Sequence, residues 1–525
     1  MITTGRSTLV NFILLLLASV PLFAHGVTRY DNGRWFDGET FVQRTMWSVD
    51  GVFREKWDAQ ADAVVDLHAA YVIPPLADAH HHAFSDGRDP AGSINMFLSQ
   101  GIFYVKNPNN LPTLTASIRP KVNQPESVDV VYSNGGITSS GGHPAPLYAR
   151  IAPQLQRDEA SMNGDAYHVV DRAEDLEKVW PALLASKPDF VKVYLEGSEL
   201  HAERRERRGL DPALLPLIVK RAQSESLRVS AHVASRADFL AAVSAGVDEI
   251  NHLPLERLEK ADADLAAKNG TWVVTTTISH RPTDGIKDLD DLHRHNVRLL
   301  REAGVKIAIG TDDGRTVVAE AENLLRIGAF DRASLLRAWT IATPATIFPQ
   351  RKLGRLADGY EASFLALPAN PLEDFGAIRN ITLRVKQGHA LHVTAPKPLA
   401  TEALVPIVMS KGIEAALAEY DRLRADPKTP YDTGEQALNA LGYAMLNHGQ
   451  LDGAIAIFRA NVERFPGSAN VYDSLGEAYM KKGEKELAIA NYEKSLERNP
   501  ANRNAEEMLK KLRSGSDPSA ASPHS

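Results

Sequence analysis

Eight short apolar runs, each separated from the next by a segment of helical character, constrain this chain more than any other feature. They are Ala70–Ala77, Gly101–Lys106, Val128–Tyr132, Phe190–Leu195, Arg228–His232, Glu249–His252, Thr271–Thr275 and Lys306–Gly310. Strands alternating with helices read as βαβ units, and eight of them suggest a (β/α)8 barrel. Such a barrel gathers its reactive groups at the C-terminal ends of its strands. The flanks have another rhythm. Asp31-Asn32-Gly33, Asp37-Gly38 and Asp50-Gly51 punctuate residues 27–72 with hairpin signals, and Asp358-Gly359 and the alternation from Ile381 to Lys386 do the same within 353–395.

Ala395-Pro396-Lys397-Pro398 marks a boundary, after which the composition turns helical. Thr401 can cap a helix running to about Arg424. An ungapped repeat follows over 435–468 and 469–502. Leu438, Leu441, Gly442, Met445, Ala454, Phe458 and Pro466 align with Tyr472, Leu475, Gly476, Tyr479, Ala488, Tyr492 and Pro500. That is the tetratricopeptide pattern of large, small and aromatic positions that nest two antiparallel helices. The helical domain is expected over 401–513, with 401–424 as a degenerate first unit and 503–513 as a solvating cap. A Ser/Ala/Pro-rich tail, expected to be disordered, occupies 514–525. Such repeats either capture a protein or peptide partner or only stabilise the chain to which they belong.

At the other end, Arg6 precedes an apolar run from Phe12 to Ala24. The run is short for a membrane span and reads as a secretory signal peptide over 1–24, with an uncleaved anchor as the alternative. Export, to a bacterial periplasm, is the expectation. No other stretch is long and apolar enough to cross a bilayer.

Composition narrows the chemistry. Hydrophobic residues make up 44% and charged residues 24% of 525, which excludes a mostly disordered chain. A net charge of −7 gives no electrostatic reason to expect nucleic acid as a partner. The chain has no cysteine, so disulfides, zinc ribbons and thiolate nucleophiles are excluded. A metal here must be held by His, carboxylate or modified Lys.

Asp78-Ala79-His80-His81-His82 directly follows the first apolar run. Residues i and i+2 of a strand share a face, so His80 and His82 can address one metal together. Taken alone, the triplet is equally a surface histidine cluster. Four further candidates each end a separate strand: Lys192, His232, His252 and Asp312.

With these six residues in place, the chain resembles the amidohydrolase superfamily of metal-dependent hydrolases, in its imidazolonepropionase- and prolidase-like branch. The resemblance covers roughly residues 28–395. It implies a distorted TIM barrel over 73–352, with a small β-sandwich built from 27–72 and 353–395. It also implies a mono- or binuclear centre, usually zinc. By position, His80 and His82 match the first-strand pair, Lys192 the fourth-strand lysine, His232 and His252 the fifth- and sixth-strand histidines, and Asp312 the eighth-strand aspartate. His80, His82, Lys192 and Asp312 are then expected to hold the more buried metal, with His232 and His252 on the second. A carboxylated Lys192 bridges a binuclear centre; an ordinary ion-paired Lys192 belongs to a mononuclear one. Asp312 is also expected to shuttle the proton from the attacking water to the leaving group.

Weaker candidates surround this set. His81 should point away from the metal. Asp313 doubles Asp312. His143, in a Gly-rich loop after the third strand, either contacts substrate or holds a turn. Tyr194 shares the face of Lys192 and is either a substrate contact or a barrel-core tyrosine. His280 follows the seventh strand. Arg204, Arg205, Arg207 and Arg208 form a solvated face or a carboxylate-capturing patch near the site mouth. The expected function is an exported metal-dependent hydrolase of an amide, lactam or related C–N bond in a small molecule such as a dipeptide or cyclic amide. The competing expectation is a non-catalytic periplasmic scaffold acting through its repeats.

Overall fold

The computed structural model describes residues 26–87, 89–152, 155, 157–196, 209–279, 288–312, 317–393, 397–447, 449–500 and 502–514. The signal-peptide region 1–24, the Arg204–Arg208 cluster, His280, Asp313, Ala395-Pro396 and the tail after Ser514 lie outside the described residues. The chain divides into two compact units, 1–146 with 163–393 and 147–162 with 394–525. Among the described residues of 147–162 no strand falls.

The first unit opens with β1 (Val27–Phe36), β2 (Phe41–Val49), β3 (Val52–Arg54), β4 (Ala63–Asp66) and β5 (Tyr71–Ile73). Then come β6 (Leu76–Asp78), β7 (Ile102–Asn107), β8 (Asp129–Tyr132), β9 (Gly136–Thr138), β10 (Tyr167–Val169), β11 (Val191–Tyr194), β12 (Val229–His232), β13 (Glu249–Asn251), β14 (Trp272–Val274) and β15 (Ile307–Ala308). Last are β16 (Phe364–Leu367), β17 (Leu383–Lys386) and β18 (His389–Ala390).

Both flanks of the barrel contribute to one eight-stranded sheet, ordered β18-β17-β16-β5-β1-β2-β3 with β4 on β1. The antiparallel β5–β16 pairing joins the N-terminal flank to the C-terminal one. Tyr30, Trp35, Phe53 and Phe364, all fully buried, pack edge to face beneath this sheet, so aromatic side chains from both flanks form one core.

The first apolar run, 70–77, is not a single strand. Pro74 and Pro75 donate no backbone N–H, and the ladder breaks there. Tyr71–Ile73 joins the flanking sheet, which thus takes Ile73 from the expected barrel, and Leu76–Asp78 starts the barrel itself. β6, β7 and β8 are parallel neighbours, and β11 to β15 run in parallel in chain order. Asp189 N donates to Tyr132 O across the β8–β11 seam at 2.8 Å. Ala79 N to Ile309 O, also 2.8 Å, closes the ring between the ends of β6 and β15. β9 and β10, which no periodicity announced, pair with each other beside β11.

The second unit contains helices Thr401–Lys411, Ile413–Ala425, Glu435–Asn447, Leu451–Arg464, Ala469–Lys482, Lys485–Arg498 and Arg503–Ser514. The single helix expected over 401–424 is a pair, broken at Gly412, whose φ of +85° suits glycine. The repeat positions explain the packing. A Cβ on Gly442 would lie 2.5 Å from the Phe458 ring, and one on Gly476 3.1 Å from Tyr492, so each glycine seats the aromatic of the following helix. Leu404, Tyr420, Leu438, Leu441, Phe458 and Leu475 share one core, which extends through the first helix pair. No helix among the described residues is long and apolar enough to cross a membrane.

Candidate active site

His80 and His82 follow β6, and Asp312 follows β15, so the strand that opens the barrel and the one that closes it meet at the site. Asp312 N donates to His80 O at 2.7 Å. The Asp312 Oδ1 atom lies 3.2 Å from His80 Nε2 and 3.1 Å from His82 Nε2; Oδ2 lies 3.9 Å from His252 Nδ1. Ligand atoms of His80, His252 and Asp312 all fall within 4.8 Å of one another. The rings form a series: His82 to His80 at 5.3 Å between centroids, His80 to His252 at 4.7 Å, His252 to His232 at 4.4 Å, and His232 to His143 at 5.0 Å.

Local backbone geometry aims these groups. His252 and Asp312 leave their strands with φ of +70° and +60°, a region that non-glycine residues enter at a cost. Both sharp turns direct the side chain over the strand ends. Gly310 makes room, since a Cβ there would lie 2.8 Å from His80 Cβ. His252 Nδ1 contacts Thr276 Oγ1 at 2.7 Å, which fixes its ring.

Lys192 ends inside the barrel, 1% exposed, with Nζ donating to Asn251 Oδ1 and lying 5.2 Å from the centre of the Tyr194 ring. Tyr194, His143 and His232 form a ring cluster, with Tyr194 5.2 Å from His143 and 5.6 Å from His232. Thr138 Oγ1 donates to His143 O at 2.6 Å and anchors the Gly-rich loop. His81 points away, as strand alternation requires. Its ring packs on Phe97, and its Nδ1 accepts from Ala83 N at 3.0 Å.

Electrostatics sort these groups into lone-pair donors and one anion. Burial pushes His80 down to about 4. Burial, reinforced by His252 and His143, holds His232 well below the usual imidazole range. Burial lowers Lys192 to about 7, against the opposing pull of Asp312 and Glu249. For Asp312, burial opposes ionisation, yet His80, His82 and His252 together keep its carboxyl well below the usual range. Neutral imidazoles at His80 and His232 with an ionised carboxylate at Asp312 are suitable donors for a divalent cation.

One consequence is measurable without metal. His80 titrates lower in the folded chain than in the unfolded one, so below pH 6.5 the unfolded chain binds more protons. Its contribution therefore falls as pH drops from about 6.5 towards about 4. Melting of the chelator-treated protein is expected to show this loss, and His80→Gln is expected to flatten that part of the profile. An unchanged profile in the variant would assign the acid sensitivity elsewhere.

Three carboxylates escaped the sequence reading. Asp78, fully buried, accepts from His80 N (3.0 Å), Thr311 N (3.2 Å) and Thr311 Oγ1 (2.7 Å), and so pins the β6–β15 seam. Its place two residues before His80, on the same strand face, was the available signal. Glu196 lies 3.6 Å from His143 Nδ1 and 3.7 Å from His232 Nε2. Glu249 lies within the barrel, beneath Asn251.

Residues 168–391 match the amidohydrolase family and residues 469–502 the tetratricopeptide repeat. Ochratoxinase from Aspergillus niger is 26% identical over 267 residues, covering 46% of this chain and 55% of that protein. The chain thus spans little more than half the length of that curated relative. The crystal structure of A. niger ochratoxinase superposes with a TM-score of 0.58 at 20% identity, over 70% of this chain and 95% of the other. A putative prolidase from Bifidobacterium longum gives 0.58 at 19% identity, over 73% and 99%. These likenesses establish the barrel fold.

Proposed function

The chain carries a domain of the amidohydrolase family followed by a tetratricopeptide repeat, and from that premise we propose that its barrel hydrolyses an amide-type C–N bond of a small molecule at a divalent-metal centre. The observation that carries this reading is the convergence of His80, His252 and Asp312 within 4.8 Å, at the ends of three different strands. We assign His80, His82, Lys192 and Asp312 to the more buried metal position, and His232 and His252 to a second. Neutral imidazole and ionised carboxylate suit zinc. A bound divalent cation supplies Lewis acidity towards the substrate carbonyl and acidifies a water.

The chain's own residues do the rest. Asp312 lies against His80 and His82, where an ionised carboxylate can accept a proton from the nucleophile and return it to the departing nitrogen. Lys192, which burial lowers to about 7, would add CO2 through its nitrogen lone pair, with loss of one proton, and so offer an anionic oxygen donor to a metal. His143 and Tyr194, at the far end of the ring series from His82, are assigned to substrate contact, a reading supported by their ring contacts with each other and with His232. Ochratoxinase and prolidase relatives support an amide, dipeptide or cyclic amide as substrate. The repeats are assigned a protein or peptide partner, supported by the repeat match alone. Export is proposed from the apolar run before Ala24.

The test is metal content by elemental analysis, with a Lys192→Ala variant alongside, followed by a screen of amides and dipeptides. Two metals per chain, falling to one or fewer in the variant, are expected. One metal in both would point to a mononuclear centre. No metal after reconstitution with Zn2+ and bicarbonate, together with no hydrolysis, would overturn the reading and favour the scaffold role.

A further inference from the structure

We propose that Asn251, oriented by the buried carboxylate of Glu249, is the positioning residue that aims the Lys192 nitrogen and so determines whether this lysine can be carboxylated. The inference rests on the metal-centre reading above, and adds to it a residue that is itself no ligand.

Glu249 is 1% exposed and fixed from several sides. Lys106 Nζ lies 2.8 Å from Oε1, Ser230 Oγ donates to Oε1 at 3.0 Å, and Thr346 Oγ1 donates to Oε2 at 2.7 Å. Asn251 Nδ2 also donates to Oε1, at 3.1 Å. That bond settles which way the amide faces. Turned over, Asn251 would set its oxygen against the carboxylate and its NH2 against the Lys192 amine. In the observed orientation Oδ1 faces Lys192 and accepts from Nζ; Ser230 Oγ lies 2.9 Å from the same oxygen, with its single hydrogen given to Glu249. Asn251 is fully buried, so no water competes for that oxygen from bulk solvent.

Carboxylation changes the lysine in a way this arrangement accommodates. The Nζ lone pair forms an N–C bond to CO2, one C=O electron pair moves onto oxygen, and one proton leaves the nitrogen for solvent. The product, –NH–CO2−, is planar and keeps a single N–H. A carbonyl oxygen that accepts this one hydrogen fixes the rotation of the carbamate and therefore the direction of its two oxygens. Asn251 Oδ1 is already in place to accept it. Neither an apolar side chain nor a reversed amide could do so. The residue also immediately precedes His252, so one strand end, Glu249-Ile250-Asn251-His252, carries both a metal ligand and the group that orients the lysine ligand.

The experiment loads the full-length protein with Zn2+ and 13C-bicarbonate and follows two readouts besides activity. These are the carbamate carbon signal by NMR and the bicarbonate concentration needed for half-maximal zinc uptake. Wild type is compared with Asn251→Leu and with Thr346→Val, which removes the donor to Glu249 Oε2 and leaves in place the Oε1 that orients Asn251. Partners that orient metal ligands alter affinity by roughly 10–100-fold when removed. Asn251→Leu is therefore expected to raise the bicarbonate requirement at least about tenfold and to weaken or abolish the carbamate signal, while Thr346→Val lowers the melting temperature and keeps the signal. If leucine prevents folding, Asn251→Ala gives the same readouts in a smaller side chain. A wild-type signal that persists unchanged in the Asn251 variants overturns the positioning role alone. A wild type that shows no carbamate at saturating zinc and bicarbonate overturns the lysine assignment, and this inference with it.

Discussion

Asp312→Asn is expected to lower kcat/KM on an amide substrate by about 10²–10⁴-fold, the range that a positioned acid–base group contributes. The substitution is conservative in every respect except the chemistry under test. Asparagine accepts the left-handed backbone that Asp312 adopts at φ +60°. It fills the same volume between His80 and His82, and it retains a carbonyl oxygen towards them. It cannot hold a proton in transit, and it removes the negative charge that Asp312 sets against His80, His82 and His252. Metal content separates the two roles given to this residue. Activity lost with metal retained assigns the proton transfer, whereas activity and metal lost together assign ligation. Full activity in the variant would remove Asp312 from the mechanism.

What could be read in the sequence follows from what strands and barrels make periodic. The eight apolar runs were legible because buried parallel strands must be apolar on both faces. Their terminal residues pointed to the site because a barrel exposes reactive groups only at the C-terminal strand ends. His80, His82, His252 and Asp312 meet on that account, and the exclusion of His81 follows from the alternation of a strand. Other features carry no period. Pro74-Pro75 lies inside an apolar run and divides it between two sheets, a result decided by two missing N–H groups rather than by hydrophobicity. β9 and β10 are three residues each, too short for alternation to register. Gly412 breaks one helix into two, although the apolar positions on either side continue. The polar groups beneath the site were hidden for a different reason. Glu249, Asn251 and Lys106 lie in short, wholly buried runs. A polar residue in such a run shows nothing of the long-range partner, 143 positions away for Lys106 and Glu249, that makes its burial possible.

That buried pair gives the second large effect. Lys106→Met keeps most of the side-chain volume and removes the ammonium from a site where the lysine and glutamate side chains are 4% and 1% exposed. Breaking one partner of a buried pair strands the other charge, at a cost of about 3–5 kcal/mol. The donors that remain on Glu249, from Ser230, Asn251 and Thr346, are neutral hydrogen bonds. They satisfy lone pairs but do not neutralise the carboxylate. Glu249 is held at about 2 in the native protein; burial alone would raise it, and Lys106 followed by Arg228 outweigh that effect. Without Lys106 its folded pKa rises, so the unfolded chain releases the proton more readily than the folded one. The stability deficit of Lys106→Met relative to wild type should then shrink as pH falls and the carboxyl becomes neutral. Chemical denaturation of both proteins at pH 7 and pH 5 tests this, and the His80 titration, common to both, cancels in the difference. A deficit of the same size at both pH values would mean that the lysine contributes packing rather than charge. Because Asn251 takes its orientation from the same carboxylate, such a result would also leave the amide without an ionic anchor beneath Lys192.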